Sequence, residues 1–552
     1  MTMIDGRCRD KINWVSWLMV IFVIYQIALW IAWVIPSRYY VGFDESWHLE
    51  ISQQLYYSLV DYGVLGLLWK FIHAMQAKPP LVSLLPVPMY LLFGNQAWIG
   101  TAVNLIWLVL LNVYLFRLVR HFWGEGPAFI ACVSLQTMPL FPGLSRMVMA
   151  EYGTTALVIM FMYYLFAGKP SLRRAVYLGI VLGLGQLQKV LFFSYVFFPL
   201  LWSIYAEFKE NQGRAKYCLS LWLLTAGITL WLSAPWYITN LRPVWEYTFR
   251  STYADTANVY RYGACLDDLK ALWSYINVFM NGGITAYQAV LLGTCWIGVL
   301  IWHRGKKKEK ISRITVGIIL WFVAPFLIFL PSLYRNFKFM MPFFAPFSIA
   351  LGVLMWCLVK GSRWRWPVIA ALLIWPNFSI LYASFPLGHL NQPYHLLKIG
   401  PFEFLPQSGY LGFPRLGHWP YEEILKYVAS DGACFKASTG KKPSIGMACD
   451  MSEFNRSTML YVQQKLRLPI EVYWAPLGGR ADPKYDLEAA LALTSQQDYV
   501  LFRVPNPTDP DFTNKFNDQI RESIRRRELP FRLIKEYPLP DGAKALLYRR
   551  ET

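Results

Sequence analysis

The sequence predicts a polytopic α-helical membrane protein that ends in a soluble α/β domain. Over half of the 552 residues are apolar (55%), aromatic residues are frequent (17%), and only 16% are charged. Several apolar runs reach the roughly 20 residues needed to cross a bilayer. Past Pro386 the composition becomes polar, and no later run is long enough to span. The net charge of +19 does not indicate nucleic-acid binding, because most basic residues lie in short loops between apolar runs, a pattern typical of membrane topology.

The first span is expected from Trp14 to Ile35, with its N-terminus in the cytoplasm. This run is too long for a signal-peptide core and lacks a small-residue cleavage site. Basic clusters then recur between apolar runs and should be cytoplasmic: Arg117 and Arg120; Lys169, Arg173 and Arg174; Lys209, Arg214 and Lys216; Arg304, Lys306, Lys307, Lys308 and Lys310; Lys360, Arg363 and Arg365. This arrangement predicts about eleven spans, with the C-terminus outside, near residues 14–36, 97–119, 127–143, 147–167, 175–188, 190–207, 217–236, 284–302, 312–331, 337–359 and 366–384.

One apolar run does not fit this topology. The segment from Leu81 to Phe93 is shorter than a span and contains Pro86 and Pro88. Counting it as a span would place the cluster of Arg117 and Arg120 outside. We therefore predict a broken, interfacial or re-entrant segment on the outer side.

The segment between the first two spans, residues 37–96, contains the first candidate site residues. Asp44 and Glu45 follow the first span, and Lys78 begins a Lys-Pro-Pro. A carboxylate can accept a proton from an acceptor hydroxyl, and a lysine can hold a phosphate. The alternative is that both acids only cap an interfacial helix.

The predicted topology gathers further polar residues on the outer side. Glu151 lies within an otherwise apolar helix, where acids are rare and usually functional. Lys189 follows at a short turn, with snorkelling to the interface as the alternative. Arg335 and Lys338 lie at the outer end of a later span, where binding of lipid headgroups is the alternative. Arg146 lies in the same outer turn as Glu151, and a long outer loop is predicted over residues 237–283.

Residues 391–552 are predicted to form the outer α/β domain, after a membrane domain of residues 1–390. YEEILKYVAS and FNDQIRESIRRREL indicate helices, whereas DYVLFRVP and KALLYRR indicate strands. Cys434 and Cys449 are candidates for a disulfide in an oxidising compartment. The domain shows no catalytic triad or zinc spacing, so an accessory role in acceptor binding fits it better than independent catalysis.

A set of motifs in order resembles the polyprenol-phosphate-sugar-dependent glycosyltransferases of the GT-C superfamily, and most closely their protein-mannosyltransferase and aminoarabinose-transferase branch. The motifs span about residues 14 to 360: FDESWHLEIS, AKPPL at 77–81, LLFG at 91–94, SR at 145–146 with the acid at 151, LGLGQLQK at 182–189, SAPWY at 233–237, and YRNFKFMMPFFAPFSIALG at 334–352. The C-terminal α/β domain resembles the extension of some bacterial members.

The resemblance implies eleven to thirteen membrane helices around a cavity, and inverting transfer of a sugar from a polyprenyl phosphate to a lipid, glycan or protein acceptor. It implies that Asp44 is the general base and that Glu45 orients the acceptor or assists it. It also implies that Glu151 is the second acidic position and that Lys78 and Lys189, with Arg335 as a further candidate, hold the lipid phosphate. The protein would then be a multi-pass protein of the bacterial inner membrane, surrounded by lipid, with its site on the periplasmic face. Arg146 and Lys338 complete the predicted donor-binding set.

The sequence departs from the family pattern beside these residues. Ser46-Trp47-His48 replaces an arginine-tyrosine, Gln188-Lys189-Val190 replaces Thr-Lys-Gly, and Lys338-Phe339 replaces a second arginine-tyrosine. The changes near Ser46 leave the donor sugar open.

Two alternatives remain at this stage. Asp44 and His48 are spaced i, i+4 and, with Glu151, could hold a divalent metal, although packing of His48 against aromatic neighbours is the simpler interpretation. A transporter or flippase of a lipid-linked substrate could also carry embedded acids and cations. It would more typically show internal repeats and charges near the bilayer midplane, which the sequence does not show.

Overall fold

The computed structural model describes residues 14–38, 41–73, 77–253, 273, 276–277, 279–302, 312–329, 336–386, 398–399, 402–403, 411–436, 441–449, 451, 453–474, 486–505 and 516–551. Within these ranges, residues 14–384 are helical apart from short connections, and the strands all lie after residue 397.

The membrane part is a bundle of helices, and most of the predicted spans correspond to one helix each. The span predicted over residues 127–143 is instead divided between two shorter helices. In chain order the helices are α1 (Trp14–Val34), α2 (Phe43–His73), α3 (Leu81–Leu84), α4 (Pro86–Phe93), α5 (Ala97–Thr101), α6 (Val103–Trp123), α7 (Glu125–Gln136), α8 (Leu140–Ser145), α9 (Ala150–Ala167), α10 (Leu172–Gln188), α11 (Phe192–Glu210), α12 (Ala215–Tyr253), α13 (Ala286–Trp302), α14 (Arg313–Phe329), α15 (Phe344–Val359) and α16 (Arg365–Ser384). Short 3₁₀ turns cover Gln212–Arg214 and Phe337–Phe343, and a π turn covers Phe279–Gly283.

Six helical stretches of the described chain are long and apolar enough to cross a membrane: Trp14–Val34, Ala97–Trp123, Ala150–Ala167, Gln212–Arg250, Lys338–Val359 and Arg365–Ser384. The chain is therefore a multi-pass membrane protein. The segment 81–93 is broken into α3 and α4, as its prolines predicted. Helix α12 continues through Pro235 and Pro243 to Tyr253, beyond the predicted end near residue 236.

Close helix packing in the bundle depends on small residues. Helix α10 presents Gly179 and Gly183 to α12, and a Cβ at Gly183 would lie 2.9 Å from the Leu232 side chain. The Thr229 hydroxyl of α12 donates to the Gly179 carbonyl at 3.2 Å. Such spacing of small residues with interhelical hydroxyl bonds is common where membrane helices approach closely. It fixes the axis of α10, and the C-terminus of α10 carries Lys189.

Helix α2 follows the first span and begins at the candidate site. Asp44 and Glu45 lie in its first turn. The helix is interrupted at Gly63, whose φ of 67° is a left-handed conformation that favours glycine. Beyond this break α2 exposes large apolar side chains, among them Val64, Leu65 and Trp69. A helix with such an exposed apolar face suits a position at the membrane interface.

The C-terminal part is built on a five-stranded mixed sheet. Its elements are α17 (Tyr421–Lys436), β3 (Ser444–Met447), α18 (Arg456–Leu466), β4 (Glu471–Trp474), α19 (Leu487–Ser495), β5 (Tyr499–Val504), α20 (Asn517–Arg525), β6 (Phe531–Pro538) and β7 (Lys544–Arg550), after a small hairpin of β1 (Lys398–Ile399) and β2 (Phe402–Glu403). The strand order is β4-β3-β5-β7-β6, with β3 parallel to β4 and β5, and β7 antiparallel to β5 and β6. The two predicted helices and two predicted strands are present. The pairing of Cys434 with Cys449 stays a prediction, because the Cys434 side chain lies outside the described residues.

The C-terminal part packs directly on α2. The Tyr57 hydroxyl donates to the Lys465 carbonyl at 2.7 Å, and Arg467 pairs with Asp61 at 3.0 Å. Leu49 of α2 shares one apolar cluster with residues of α18, including Met459. The helix that presents Asp44 is therefore held between the membrane bundle and the sheet.

Candidate active site

The centre of the site is an ion pair between the two ends of the membrane part. Asp44 Oδ2 lies 2.6 Å from Lys338 Nζ, although the two residues are 294 positions apart. Asp44 begins α2, where the helix dipole favours a negative charge. Lys338 lies on the 3₁₀ turn before α15, and the Asn336 side chain accepts a hydrogen bond from its backbone N–H. The Lys338 side chain is 7% exposed and Asp44 is 47% exposed, so the carboxylate can be reached from solvent.

The charge of Lys338 is the main reason why the pKa of Asp44 falls to about 2. The hydrogen bond from Lys338 and the charge of Lys78 act in the same direction, against the partial desolvation that the surrounding side chains impose on Asp44. Asp44 is therefore ionised throughout the physiological pH range.

Lys78 is the second cation at this carboxylate. It lies in the turn between α2 and α3, and Pro79 and Pro80 restrict the backbone that follows it. Its Nζ rests 3.9 Å from the centre of the Trp47 ring and 5.6 Å from that of Tyr247. Burial lowers the pKa of Lys78 to about 8, and the charge of Asp44 opposes this fall. Among the described residues, no carboxylate lies within ion-pair distance of Lys78.

Glu151 and Lys189 form a second, buried ion pair. Glu151 lies in the first turn of α9, and Lys189 ends α10, with Nζ 2.7 Å from Glu151 Oε1. The side chains are 5% and 12% exposed. Gln188 donates to the Ala150 carbonyl at 3.2 Å and so ties the two helix ends together. Lys189 Nζ also lies 4.3 Å from the centre of the Phe339 ring, next to Lys338.

These five groups form one cluster. The two ion pairs meet at Phe339, whose ring centre lies 4.3 Å from Lys189 Nζ and 5.8 Å from Lys338 Nζ. Lys78 lies near enough for its charge to lower the pKa of Asp44. We call Asp44, Lys78, Glu151, Lys189 and Lys338 the charge cluster. Three lysines and two carboxylates leave one positive charge in excess. A phosphodiester carries one negative charge, so the cluster complements a sugar-phosphate linkage in charge.

His48 lies one turn after Asp44 and beside the cluster. Burial, with the nearby charge of Lys78, lowers the pKa of His48 to about 3, so the ring is neutral. Its Nδ1 is buried without a hydrogen-bond partner in the described chain.

Glu45, the neighbour of Asp44, faces away from the cluster. Its Oε1 accepts from the Val148 N–H at 3.0 Å and from the Thr101 hydroxyl at 3.3 Å, and its Oε2 accepts from the Gly42 N–H at 3.4 Å. The side chain is buried, and burial raises the pKa of Glu45 to about 7, against the effect of these hydrogen bonds. Glu45 therefore ties the start of α2 to α5 and to the segment before α9.

Of the remaining predicted cations, Arg146 is described and does not join the cluster. Arg146 is buried elsewhere, with its guanidinium over the rings of Trp33 and Phe385. Arg335 lies outside the described residues, so its predicted role stays a prediction.

The described residues contain no group of three side chains arranged to hold a metal ion. Of the three residues considered for a metal, Asp44 and Glu151 each bind a lysine instead. The structure therefore gives the two carboxylates ammonium partners, and a metal at this position stays untested.

The sequence missed the aromatic walls of the site. Trp47 and Tyr247 support Lys78, and Phe339 lies beside Lys189 and Lys338. The adjacency of Trp47 to the acids and of Phe339 to Lys338 was the available signal. Tyr247 gave none, because it was placed in a loop.

Part of the chain matches a known family model. Residues 77–238 match the model described as dolichyl-phosphate-mannose-protein mannosyltransferase. This stretch includes Lys78, Glu151 and Lys189 of the cluster. No curated protein sequence matches the chain.

The whole fold matches solved structures. Two structures of ArnT from Cupriavidus metallidurans, one in the apo state and one bound to undecaprenyl phosphate, match with TM-scores of 0.58 and 0.57. Each is 14% identical, and the match covers 97% of this chain and 98% of ArnT. The archaeal oligosaccharyltransferase AglB from Archaeoglobus fulgidus, in complex with an inhibitory peptide and a dolichol-phosphate, matches with a TM-score of 0.51 at 11% identity, over 89% of this chain and 69% of AglB. The predicted resemblance to the GT-C superfamily and the predicted fold class are confirmed.

Proposed function

We propose that the protein is an integral-membrane glycosyltransferase that moves a sugar from a polyprenyl-phosphate donor to an acceptor hydroxyl. The observation that carries this proposal is the charge cluster, in which an ionised carboxylate, accessible from solvent, lies beside three lysines. The fold shared with ArnT and the match of residues 77–238 support it. ArnT has been solved bound to undecaprenyl phosphate, which favours a carrier of that class here.

In the proposed reaction, Asp44 accepts the proton of the acceptor hydroxyl as the acceptor oxygen attacks the anomeric carbon. The bond from the anomeric carbon to the phosphate oxygen breaks, and its electron pair leaves with the polyprenyl phosphate. This single displacement inverts the anomeric configuration. The leaving phosphate gains a second negative charge, which the excess positive charge of the cluster stabilises in a site of low dielectric.

The low pKa of Asp44 has a consequence for this step. A carboxylate paired with Lys338 is a weak base, because the ammonium stabilises its ionised form. A donor phosphate that binds Lys338 and Lys78 competes for the same ammonium groups. Asp44 then becomes more basic when the donor is bound, so donor binding prepares the general base.

The three lysines have different roles in this proposal. Lys78, which has no carboxylate at ion-pair distance in the described chain, binds the phosphate directly. Lys338 is shared between Asp44 and the phosphate. Glu151 holds Lys189 in place, and Lys189 adds its charge at the side of Phe339.

We place the site on the periplasmic face of a bacterial inner membrane. Arg173 and Arg174 begin α10 at the end opposite Lys189. Basic loop residues mark the cytoplasmic ends of spans, so the cluster lies at the outer end. The transporter alternative gains no support from the matches.

The direct test of the phosphate site is binding of undecaprenyl phosphate to the purified chain in uncharged detergent. Lys78→Met should weaken binding roughly tenfold or more, because a hydrogen bond to a charged group contributes about 1.5–3 kcal/mol. Lys544→Met removes an exposed lysine of the C-terminal sheet, 65% exposed, and should leave binding unchanged. Equal affinity of wild type and Lys78→Met for undecaprenyl phosphate would show that the charge cluster is not the phosphate site.

A further inference from the structure

A second pocket lies on the other side of the first turn of α2. It encloses about 70 Å³, is partly open to solvent, and is lined by residues that include Trp33, Glu45, Thr101, Arg146, Gly412 and Arg415. No member of the charge cluster lines it. We call it the Arg146 pocket. Glu45 lines it and the preceding residue, Asp44, belongs to the charge cluster, so the first turn of α2 lies between the two sites.

Arg146 is a buried cation without an acidic partner in the described chain. The residue is only 5% exposed. Its Nη1 donates to the Ser384 hydroxyl at 3.0 Å, and its guanidinium lies 5.0 Å from the Trp33 ring and 5.9 Å from the Phe385 ring. A guanidinium has five donor groups, and buried charges in proteins are normally paired with an opposite charge. The two aromatic rings lie near the guanidinium, but they do not accept hydrogen bonds from its remaining N–H groups as an anion would.

The other charged groups of the pocket make their own contacts and form no ion pair with Arg146 in the described chain. Arg415 is paired with Glu453, outside the lining. Glu45 is the one carboxyl among the lining residues, and the Gly42, Thr101 and Val148 donors already occupy its oxygens. The pocket is therefore polar, and among the described residues no carboxylate lies within ion-pair distance of its buried guanidinium.

The C-terminal part forms one wall of the pocket. The indole Nε1 of Trp33 donates to the Gly412 carbonyl at 2.7 Å, and the Arg415 N–H donates to the Ser37 hydroxyl at 3.0 Å. These bonds hold the segment from Leu411 to Arg415 over the end of α1. A ligand in this pocket would touch both the membrane part and the C-terminal part, which suits a substrate that approaches from outside the bilayer.

We propose that the Arg146 pocket is an oxyanion subsite that holds a phosphate or carboxylate group of the acceptor, opposite the donor phosphate across the first turn of α2. The planar guanidinium matches the two oxygens of such a group. An acceptor anchored here lies at the same end of α2 that presents Asp44. This inference rests on the proposed function, and it adds that the acceptor of the proposed reaction is anionic.

The test measures stabilisation of the full chain by inorganic phosphate in uncharged detergent at constant ionic strength. Both proteins carry Lys78→Met, so that the charge cluster contributes less to phosphate binding. Adding Arg146→Gln should weaken phosphate binding roughly tenfold or more, because it removes charge-assisted hydrogen bonds. Arg146→Lys keeps the charge but loses the planar guanidinium, so its phosphate affinity should fall between that of the protein with Arg146 and that of Arg146→Gln. Arg173→Gln, which removes a surface arginine on α10, is the matched control and should change nothing. Equal phosphate affinity with and without Arg146 would overturn the inference.

Two further arms identify the source of the anion. In a transfer assay with membrane extract as acceptor, Arg146→Gln should raise the half-saturating amount of extract and leave the maximal rate unchanged. If dihexanoyl phosphatidic acid instead binds more than tenfold tighter than phosphate, and only when Arg146 is present, the pocket binds a lipid headgroup and the acceptor assignment is wrong.

Undecaprenyl phosphate separates this inference from the proposed function. Arg146→Gln alone should bind it as wild type does, whereas Lys78→Met should not. Equal losses in both variants would assign Arg146 to the donor site and overturn the inference. Failure of wild type to bind undecaprenyl phosphate would refute the proposed function, while the phosphate titration would still decide whether Arg146 binds an oxyanion.

Discussion

Replacement of Glu45 by glutamine should remove a specific pH dependence of stability. Burial raises the pKa of the folded carboxyl from 4.5 to about 7. Between these two values the folded protein keeps the proton and the unfolded chain releases it. The contribution of Glu45 to the free energy of unfolding is therefore greatest below about pH 4.5, falls as the pH rises to about 7, and is constant above that.

The magnitude follows from the same two values. A pKa difference of this size corresponds to roughly 3 kcal/mol. Relative to Glu45→Gln, wild type should lose about this much free energy of unfolding between about pH 4 and pH 8. Other titrating groups cancel in the difference between the two proteins, because they are common to both.

The assay is unfolding by sodium dodecyl sulfate in mixed micelles, followed by circular dichroism across this pH range. Glu536→Gln is the control, because that carboxyl is 46% exposed on the C-terminal sheet. A flat difference between wild type and Glu45→Gln at every pH would show that the folded carboxyl ionises normally. The claim that burial outweighs the hydrogen bonds to Glu45 and raises its pKa would then fail.

Two further predictions concern how the site is held. Either Glu151→Gln or Lys189→Met alone should destabilise the protein by about 3–5 kcal/mol, because each leaves a buried charge unpaired. The double variant should lose less than the sum of the two, a result that unfolding of all four proteins would measure and simple additivity would contradict. Met459→Ala should cost about 2–5 kcal/mol and loosen the C-terminal part from α2, because Met459 is fully buried in the cluster shared with Leu49. Arg467→Ala should cost less than about 1 kcal/mol, since its pair with Asp61 is exposed, and limited proteolysis that released the C-terminal part equally from both variants would refute this ranking.

The sequence could predict which residues form the site better than how they pair. Asp44, Lys78, Glu151, Lys189 and Lys338 were all candidates, because the predicted topology gathers them on the outer side and each lies in a motif that resembles the family pattern. The pairing of Asp44 with Lys338 depends on how α2 packs against the turn before α15, and no local pattern records that contact. Phe339 and Tyr247 were missed for the same reason.

The two consecutive acids at the start of α2 show more clearly what the sequence alone cannot predict. Successive residues of an α-helix point about 100° apart, so Asp44 and Glu45 cannot both face one cavity. Nothing local indicated which of them would turn toward the lysines. The strands β3 and β4 were missed because each has only four residues, and β6 was missed because only two of its eight residues are buried.

The measurement that tests the central claim most directly is release of polyprenyl phosphate from a panel of polyprenyl-phosphate sugars, with membrane extract as acceptor. Wild type should release it, and Glu45→Gln should retain activity at low pH, where the native carboxyl is also neutral. Asp44→Asn should lose roughly 10²–10⁴-fold in rate, the usual contribution of a general base. The control Asp518→Asn removes an exposed carboxylate of the C-terminal part, 74% exposed, and should match wild type. Undiminished release by Asp44→Asn would contradict the account, because the reaction would then proceed without the carboxylate that pairs with Lys338.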